Sequence, residues 1–308
     1  MIDVRRHNAA FCRDHFLHHC EEQVRRAIAS HRMIGPDERV LVAVSGGKDS
    51  LALWDLLVRL GYHADGLYLG LGIGEYSDES GTYVRAFASE HGLALHEIDL
   101  GTDYGFDVPG AAAATRRAPC GACGLSKRHL FNRAALDGGY DVVATGHNLD
   151  DEAAVLLGNV LRWETGYLGR QHPVLPAAPG FARKVKPLVR LGEREMAAYC
   201  VLRGIDYQVE ECPMAAGNKH LGYKELLNGL EEKSPGSKAA FLFGFIERGH
   251  ERFAEDADEE RAALGECIVC GAPTPVYDDA SGSDAGPTCA FCRLRERASV
   301  PVTLQAKP

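Results

Sequence analysis

The sequence predicts an α/β protein built on a doubly wound parallel sheet, with small zinc-binding modules toward the two ends of the chain. Two patterns carry that expectation. Short β-branched runs alternate with amphipathic stretches of about 10–15 residues, the signature of right-handed βαβ crossovers. Most of the cysteines also fall into close pairs with metal-ligand spacing.

The elements follow in order. Residues 39–44 (R-V-L-V-A-V) read as a buried strand that ends in a Ser-Gly-Gly turn. Residues 49–61 read as a helix whose broad apolar face is Leu51, Leu53, Trp54, Leu57, Val58 and Leu60. A second strand is expected at 64–69, a second helix at 77–91 with Gly92 as its stop, and a third strand at 94–100. Residues 125–136 are expected to be helical, 141–145 (D-V-V-A-T) a fourth strand and 149–160 the helix after it. A short strand at 185–187, a helix at 193–203 and a last strand near 205–209 complete the alternation. The stretch 168–180 carries Pro173, Pro176 and Pro179 and reads as an irregular loop. Residues 221–262 read as helices and 265–293 as a compact Cys-rich module. The resulting domain division is an N-terminal helical segment (1–34), a catalytic domain (35–225), a helical connection (226–262) and a C-terminal zinc ribbon with its tail (263–308).

At 308 residues, with 45% hydrophobic and 25% charged residues, the chain has the make-up of an ordinary globular protein. No apolar run approaches the ~18 residues of a membrane span, and the first residues lack the apolar core of a secretory signal. The expected location is the cytoplasm, where C-x-x-C pairs favour metal ligation over disulfides. The net charge of −9 does not by itself suggest a nucleic-acid partner. Acid gathers at 251–266, whereas base gathers at Arg116/Arg117, Lys127/Arg128 and Arg293/Arg295/Arg297 among other clusters. Local patches rather than net charge set phosphate affinity.

The loop Ser45-Gly46-Gly47-Lys48-Asp49-Ser50 lies between a strand and a helix, where backbone N–H groups and the helix dipole hold an anion. Gly46 and Gly47 let the backbone approach phosphate, Ser45 and Ser50 add hydroxyls, and Asp49 can hold Mg²⁺. Asp follows the Gly-Lys pair, so this is not a Walker A loop. Further along, Cys120 and Cys123 open a helix whose dipole is expected to lower their pKa, and Cys212 supplies a third thiol in Glu210-Glu211-Cys212-Pro213. Three thiolates suit a four-iron cluster with one open iron, a zinc site with a vacant position, or a persulfide relay.

The string S-G-G-x-D-S after the first strand of a parallel sheet resembles the PP-loop ATP pyrophosphatases. That family cleaves ATP between its α and β phosphates and passes AMP to a substrate oxygen. Four further strings narrow the likeness: P-C-G-A-C-G-L-S-K-R at 119–128, T-G-H-N-L-D-D-E-A at 145–153, E-E-C-P at 210–213 and L-G-I-G-E-Y-S at 71–77. Together they resemble the TtcA/TtuA group of tRNA 2-thiolation enzymes, and most closely its TtuA type, which thiolates T-loop 5-methyluridine 54. The resemblance implies an adenine-nucleotide α-hydrolase-like fold and an ATP-dependent sulfurtransferase. Cys120, Cys123 and Cys212 would then hold a [4Fe-4S] cluster that delivers the sulfur. Ser45, Gly46, Gly47, Asp49 and Ser50 would bind the phosphates of ATP, with Leu69 and Gly146 at the adenosine. Lys127 and Asp151 match catalytic positions: Lys127 to neutralise charge, and Asp151, with Asp150 as the alternative, to act as base or through Mg²⁺. Both aspartates also have the sequence position of helix caps, and His147 reads as a structural hydrogen bonder. The resemblance further implies a ubiquitin-like sulfur-carrier protein with a C-terminal thiocarboxylate as donor, tRNA as substrate, and a homodimer.

Cys267, Cys270, Cys289 and Cys292 have the spacing of a closed, structural Zn²⁺ site, with a Gly/Ser/Asp-rich insert at 278–287. The arginines behind it suit tRNA phosphate. At the other end, TtuA-type enzymes open with a zinc finger, of which Cys12 and His15 match only the second half. A start upstream of Met1 is expected, and zinc at Cys12 and His15 is doubtful in the chain as written. Cys20, packed with Phe16 and Val24, and Cys200 read as core residues. Two other readings stay open: thiolation of an anticodon-loop nucleoside (C32 or U34), and an amidating PP-loop ligase, which leaves the three thiols without a role. A third, a zinc-dependent RNA-binding protein with a vestigial nucleotide site, conflicts with the intact loop. Lys48 resembles a Walker lysine, but Lys127 is the better catalytic candidate.

Overall fold

The computed structural model describes residues 1–215, 219–255, 263–276 and 286–299. A hairpin of β1 (Ile2–Val4) and β2 (Ala9–Phe11) leads into the long helix α1 (Arg13–His31). The alternation then runs β3 (Arg39–Val44), α2 (Lys48–Arg59), β4 (His63–Gly70), α3 (Gly74–His91), β5 (Leu95–Asp99). The short helices α4 (Leu100–Tyr104) and α5 (Val108–Thr115) bring the chain to α6 (Pro119–Asp137). Then come β6 (Val142–Thr145), α7 (Leu149–Arg162), α8 (Thr165–Leu168), β7 (Val174–Leu175), β8 (Arg183–Val185) and α9 (Glu193–Arg203). Beyond these lie α10 (Lys219–Lys233), α11 (Ser237–Arg248), the hairpin of β9 (Leu264–Glu266) and β10 (Pro273–Pro275), and α12 (Ala290–Ala298).

Six strands form one sheet in the order β5-β4-β3-β6-β8-β7, parallel except for β7, which is antiparallel to β8. From β3 the chain winds outward to β4 and β5, then returns to β6 on the other side. The switch between β3 and β6 opens a crevice at the carboxyl ends of those two strands, where open α/β sheets bind ligands. Both faces of the sheet are covered. Val40, Val42 and Val44 of β3 join the large core with α1, α2 and α9, while Leu41 turns to the opposite face with Leu67, Val143 and the α6 residue Ala135. One salt-bridged contact ties the first face together: Arg203 and the hydroxyl of Tyr199 on α9 both bind the buried Asp55 of α2, at 2.9 and 2.6 Å.

Several expected elements shift. Residues 205–209 form no strand; Gln208 instead crosses above the Ser-Gly-Gly turn, its N–H on the Gly46 carbonyl at 2.9 Å and its side-chain amide on the Tyr76 carbonyl at 3.0 Å. The irregular loop at 168–180 contains β7, which gives the sheet its antiparallel edge. The strand expected at 185–187 ends at Val185, because Pro187 has no N–H for a ladder and opens a 3₁₀ turn. The helix expected from 125 begins at Pro119, so both thiols of its C-x-x-C pair lie in its first two turns. The division expected at 225/226 falls inside α10, which packs on α7 together with α11. Most of the insert at 278–287, and part of the acidic run at 251–266, lie outside the described residues.

Candidate active site

β3 ends at Val44, and the chain turns through Ser45, Gly46 and Gly47 into α2. Gly46 has φ +79°, and a Cβ there would come within 2.5 Å of the Ser80 carbonyl oxygen. Only glycine fits, by handedness and by space. The Ser50 hydroxyl closes the turn from inside, accepting the Ser45 N–H at 3.0 Å and donating to the Gly47 carbonyl at 2.9 Å. No side chain caps the start of α2, so its first N–H groups are available to an anion at the switch-point crevice. Gly146, just past β6, leans on this turn: a Cβ on it would lie 3.0 Å from the Asp49 carbonyl and the Ser50 nitrogen. Leu69 is buried at the end of β4.

Around the turn runs a ring of alternating charge. Asp49 accepts hydrogen bonds from Lys48 Nζ (3.1 Å) and from the side-chain amide of Asn148 (3.0 Å). Lys48 also reaches Glu193 at 2.8 Å, and Lys224 of α10 bridges Glu193 (3.2 Å) and Asp151 (2.6 Å). Burial pushes the Asp49 carboxyl above its ordinary range against the pull of Lys48, and the charge of Asp151 adds to the rise. Burial also opposes charge on Lys224 and Lys48, but their carboxylate partners outweigh it and raise both. Two carboxylates within electrostatic reach of each other beside a phosphate-binding turn have the donor chemistry of a Mg²⁺ site.

The two aspartates of α7 divide their labour. Asp151 caps its own helix, accepting the Asn148 N–H at 3.1 Å while Asn148 returns the favour in a capping box. Asp150, the alternative base, is buried and turned away: it accepts the Glu193 N–H at 2.8 Å and pairs with the buried Lys238 of α11. Asp150 therefore docks α9 and α11 onto α7.

Cys120, Cys123 and Cys212 meet at one place. Each of the other two thiols acts on Cys120, Cys123 and Cys212 both act on Tyr76, and Cys120 donates to the Met214 carbonyl at 3.5 Å. The expected lowering of the thiol pKa is not found at Cys120. Desolvation and the neighbouring thiols push it up, outweighing the pull of Lys127. Lys127 enters no ion pair among the described residues, and its charge is felt by both Cys120 and His147. It is thus within electrostatic reach of both Cys120 and His147.

A second sulfur cluster stands apart. The sulfurs of Cys267, Cys270, Cys289 and Cys292 all lie within 4.8 Å of one another, as ligands of a single ion would. Burial disfavours a thiolate at Cys267, but N–H donors, including that of Cys289 at 3.2 Å, bring its pKa below the ordinary value. The module docks on α6: Phe291 stacks on His129 with centroids 4.1 Å apart, and Arg133 donates to the Cys270 carbonyl at 3.1 Å. α12 packs on α5 and α6. Among the described residues, Arg116, Arg117, Arg128, Arg293, Arg295 and Arg297 on these elements and their connection enter no ion pair. At the N-terminus Cys12 Sγ and His15 Nδ1 are 3.2 Å apart, with no third ligand gathered to them among the described residues. His7 faces His19 and Glu195, while Cys20 and Cys200 are buried in the core.

Sequence reading missed Lys224, Glu193 and Asn148, which carry no motif of their own, and it set His147 aside. Asn148 alone had a signal, as the polar residue before an Asp-Asp helix start. His147 follows β6 at the crevice mouth, Nδ1 2.8 Å from the Thr145 hydroxyl. Solvent reaches it, but desolvation lowers its pKa, with Glu152, Lys186, Asp151 and Lys127 as its charged neighbours.

Comparison with known proteins fits this geometry. The PP-loop domain family matches residues 16–215. The tRNA-5-methyluridine(54) 2-sulfurtransferase of Thermus thermophilus is 53% identical over 293 residues, 95% of this chain and 87% of its own. The protein of the same name from Pyrococcus horikoshii is 41% identical, over 92% of this chain and 86% of its own. Among solved structures, the U34-tRNA thiolase NcsA from Methanococcus maripaludis with its [4Fe-4S] cluster aligns at a TM-score of 0.71. That alignment covers 82% of this chain and 84% of that one at 24% identity, a likeness of fold.

Proposed function

Since the chain belongs to the PP-loop family of tRNA 2-thiolation sulfurtransferases, we propose that it adenylates O2 of 5-methyluridine 54 in the tRNA T-loop and exchanges that oxygen for sulfur. The observation that carries the reading is the position of Lys127, its charge reaching both the Cys120 thiol and the His147 side of the crevice. One lysine thereby joins a sulfur site to a nucleotide site.

The residues divide the work as follows. Ser45, Gly46, Gly47 and Ser50, with the start of α2, hold the phosphates of ATP; Asp49 and Asp151 hold Mg²⁺; Leu69 and Gly146 border the adenosine. Lys127 offsets the charge that develops as O2 attacks the α-phosphate. Cys120, Cys123 and Cys212 fit a cluster better than a single ion, because their sulfurs are not drawn within 4.8 Å of one another as those of the C-terminal four are. The three thiols would hold a [4Fe-4S] cluster, which would supply the sulfur that replaces AMP. Cys267, Cys270, Cys289 and Cys292 hold a structural Zn²⁺ that shapes the module on α6. The unpaired arginines of the α5–α6 connection, α6 and α12 contact tRNA phosphates, each worth a share of the salt dependence of binding. A ubiquitin-like carrier with a C-terminal thiocarboxylate brings the sulfur, and the working unit is a cytoplasmic homodimer.

The test is anaerobic purification. The protein is expected to be brown, and Cys212→Ala to bleach it and abolish thiolation while ATP binding persists. Colourless protein with full activity sinks the cluster assignment. Nucleoside mass spectrometry of tRNA from a deletion strain tests the target. Persistence of 2-thio-5-methyluridine with loss of another thionucleoside moves the activity to the anticodon loop.

A further inference from the structure

We propose that His147 takes the N3 proton of the target uridine during adenylation. This rests on the function proposed above, in which Asp151 is given to Mg²⁺, and assigns the base to a group other than the aspartates that the sequence resemblance suggests. When O2 of the base attacks the α-phosphate, the O2–P bond forms and the bond from the α-phosphorus to the pyrophosphate oxygen breaks. The ring keeps a neutral C2=N3 double bond only if the proton on N3 leaves in the same step. An acceptor must therefore stand within reach of the ring edge next to O2.

The candidates at the crevice mouth can be taken in turn. Lys127 carries its positive charge there and has no lone pair to offer. Asp151 has Lys224 on one oxygen at 2.6 Å and the Asn148 N–H on the other at 3.1 Å. Glu152 is buried, with Lys186 at 2.6 Å and the Gln171 amide at 3.0 Å on the same oxygen. His147 remains. It projects from the turn between β6 and α7, one residue from Gly146, which touches the first turn of the phosphate-binding helix. Its Nδ1 lies 2.8 Å from the Thr145 hydroxyl, which fixes the ring by that edge and leaves Nε2 facing outward; in the tautomer with the proton on Nδ1, the lone pair is on Nε2. Four charged groups face it: Asp151 and Glu152 from α7, Lys127 from α6, and Lys186 beyond β8. Their signs oppose one another, and desolvation lowers the imidazole pKa, which favours the neutral, proton-accepting form.

The experiment uses the full-length protein, cluster-loaded under anaerobic conditions, with an unmodified tRNA carrying the target base. Single-turnover AMP transfer is followed across pH 5–9. We expect His147→Gln, which can still hydrogen-bond Thr145 but cannot take up a proton, to slow adenylation by about 10²–10⁴-fold. ATP affinity and cluster absorbance should stay within about threefold and unchanged, respectively. The acid limb of the wild-type pH profile should disappear, and Thr145→Val should displace that limb with a smaller loss of rate. A His147→Gln rate within about threefold of wild type, or an acid limb that persists in it, overturns the proposal. Wild-type protein that transfers no AMP to tRNA overturns the underlying function instead.

Discussion

Lowering the pH from 7 to 5 should loosen the C-terminal sulfur module from α6, with His129 as the cause. The His129 ring lies flat against Phe291 at an interplanar angle of 10°, and burial there, with Arg133 nearby, lowers its pKa from 6.5 to about 4. A histidine held neutral in the folded protein adds nothing to the pH dependence above 6.5. Below that value the unfolded chain takes up a proton that the folded one refuses, so stability falls until the pH reaches the folded value of about 4. At pH 5 the full shift corresponds to about 2 kcal/mol, and screening at a partly exposed ring reduces this to about 1 kcal/mol. The functional consequence is local, because α6 carries Cys120, Cys123 and Lys127 as well as His129. Urea unfolding of the zinc-loaded protein at pH 7 and pH 5 measures the effect, with His129→Phe as the control that keeps a stack and removes the titration. Wild type is expected to lose about 1 kcal/mol more than His129→Phe over that interval. Parallel losses in the two proteins would refute the reasoning, since every other histidine is common to both.

Lys224→Met should leave the fold intact and release Asp151 and Glu193 from their shared ammonium. AMP formation titrated with Mg²⁺ should then show a changed metal requirement and a loss of roughly tenfold in kcat/KM, about 1.4 kcal/mol. A variant indistinguishable from wild type would remove Lys224 from the site. Asp55→Ala should cost about 3–5 kcal/mol, because Arg203 and the Tyr199 hydroxyl lose a buried carboxylate that both bind. Denaturant midpoints test this, and a loss under 1 kcal/mol would mean that water enters and solvates the pair.

The legible parts of this protein share a physical property: each is a short string whose chemistry is local. Gly46 can take a left-handed φ at no steric cost in the turn between a strand and a helix, and the β-branched run at 39–44 favours a buried strand. The pairs Cys120/Cys123 and Cys267/Cys270 declare themselves by spacing, and Gly92 by its place after a helical pattern. Where the structure departed from expectation, a distant group decided. Residues 205–209 have a strand's composition, yet the Gln208 N–H is taken by the Gly46 carbonyl and not by a ladder. The thiol of Cys120 begins a helix, yet burial and two other thiols outweigh the helix end.

The sequence by itself determined the α/β class, the anion-binding turn and which cysteines are paired by spacing along the chain. These follow from backbone stereochemistry and from the spacing of reactive atoms along the chain. Only the tertiary structure decided how charge is shared around the turn: Lys224 from α10 on Asp151, Lys238 from α11 on Asp150, and Lys127 acting on both Cys120 and His147. Electrostatic coupling acts through space and depends on burial, so two aspartates adjacent in the chain came to opposite uses. Asp151 faces the crevice, whereas Asp150 is buried as an anchor for two helices.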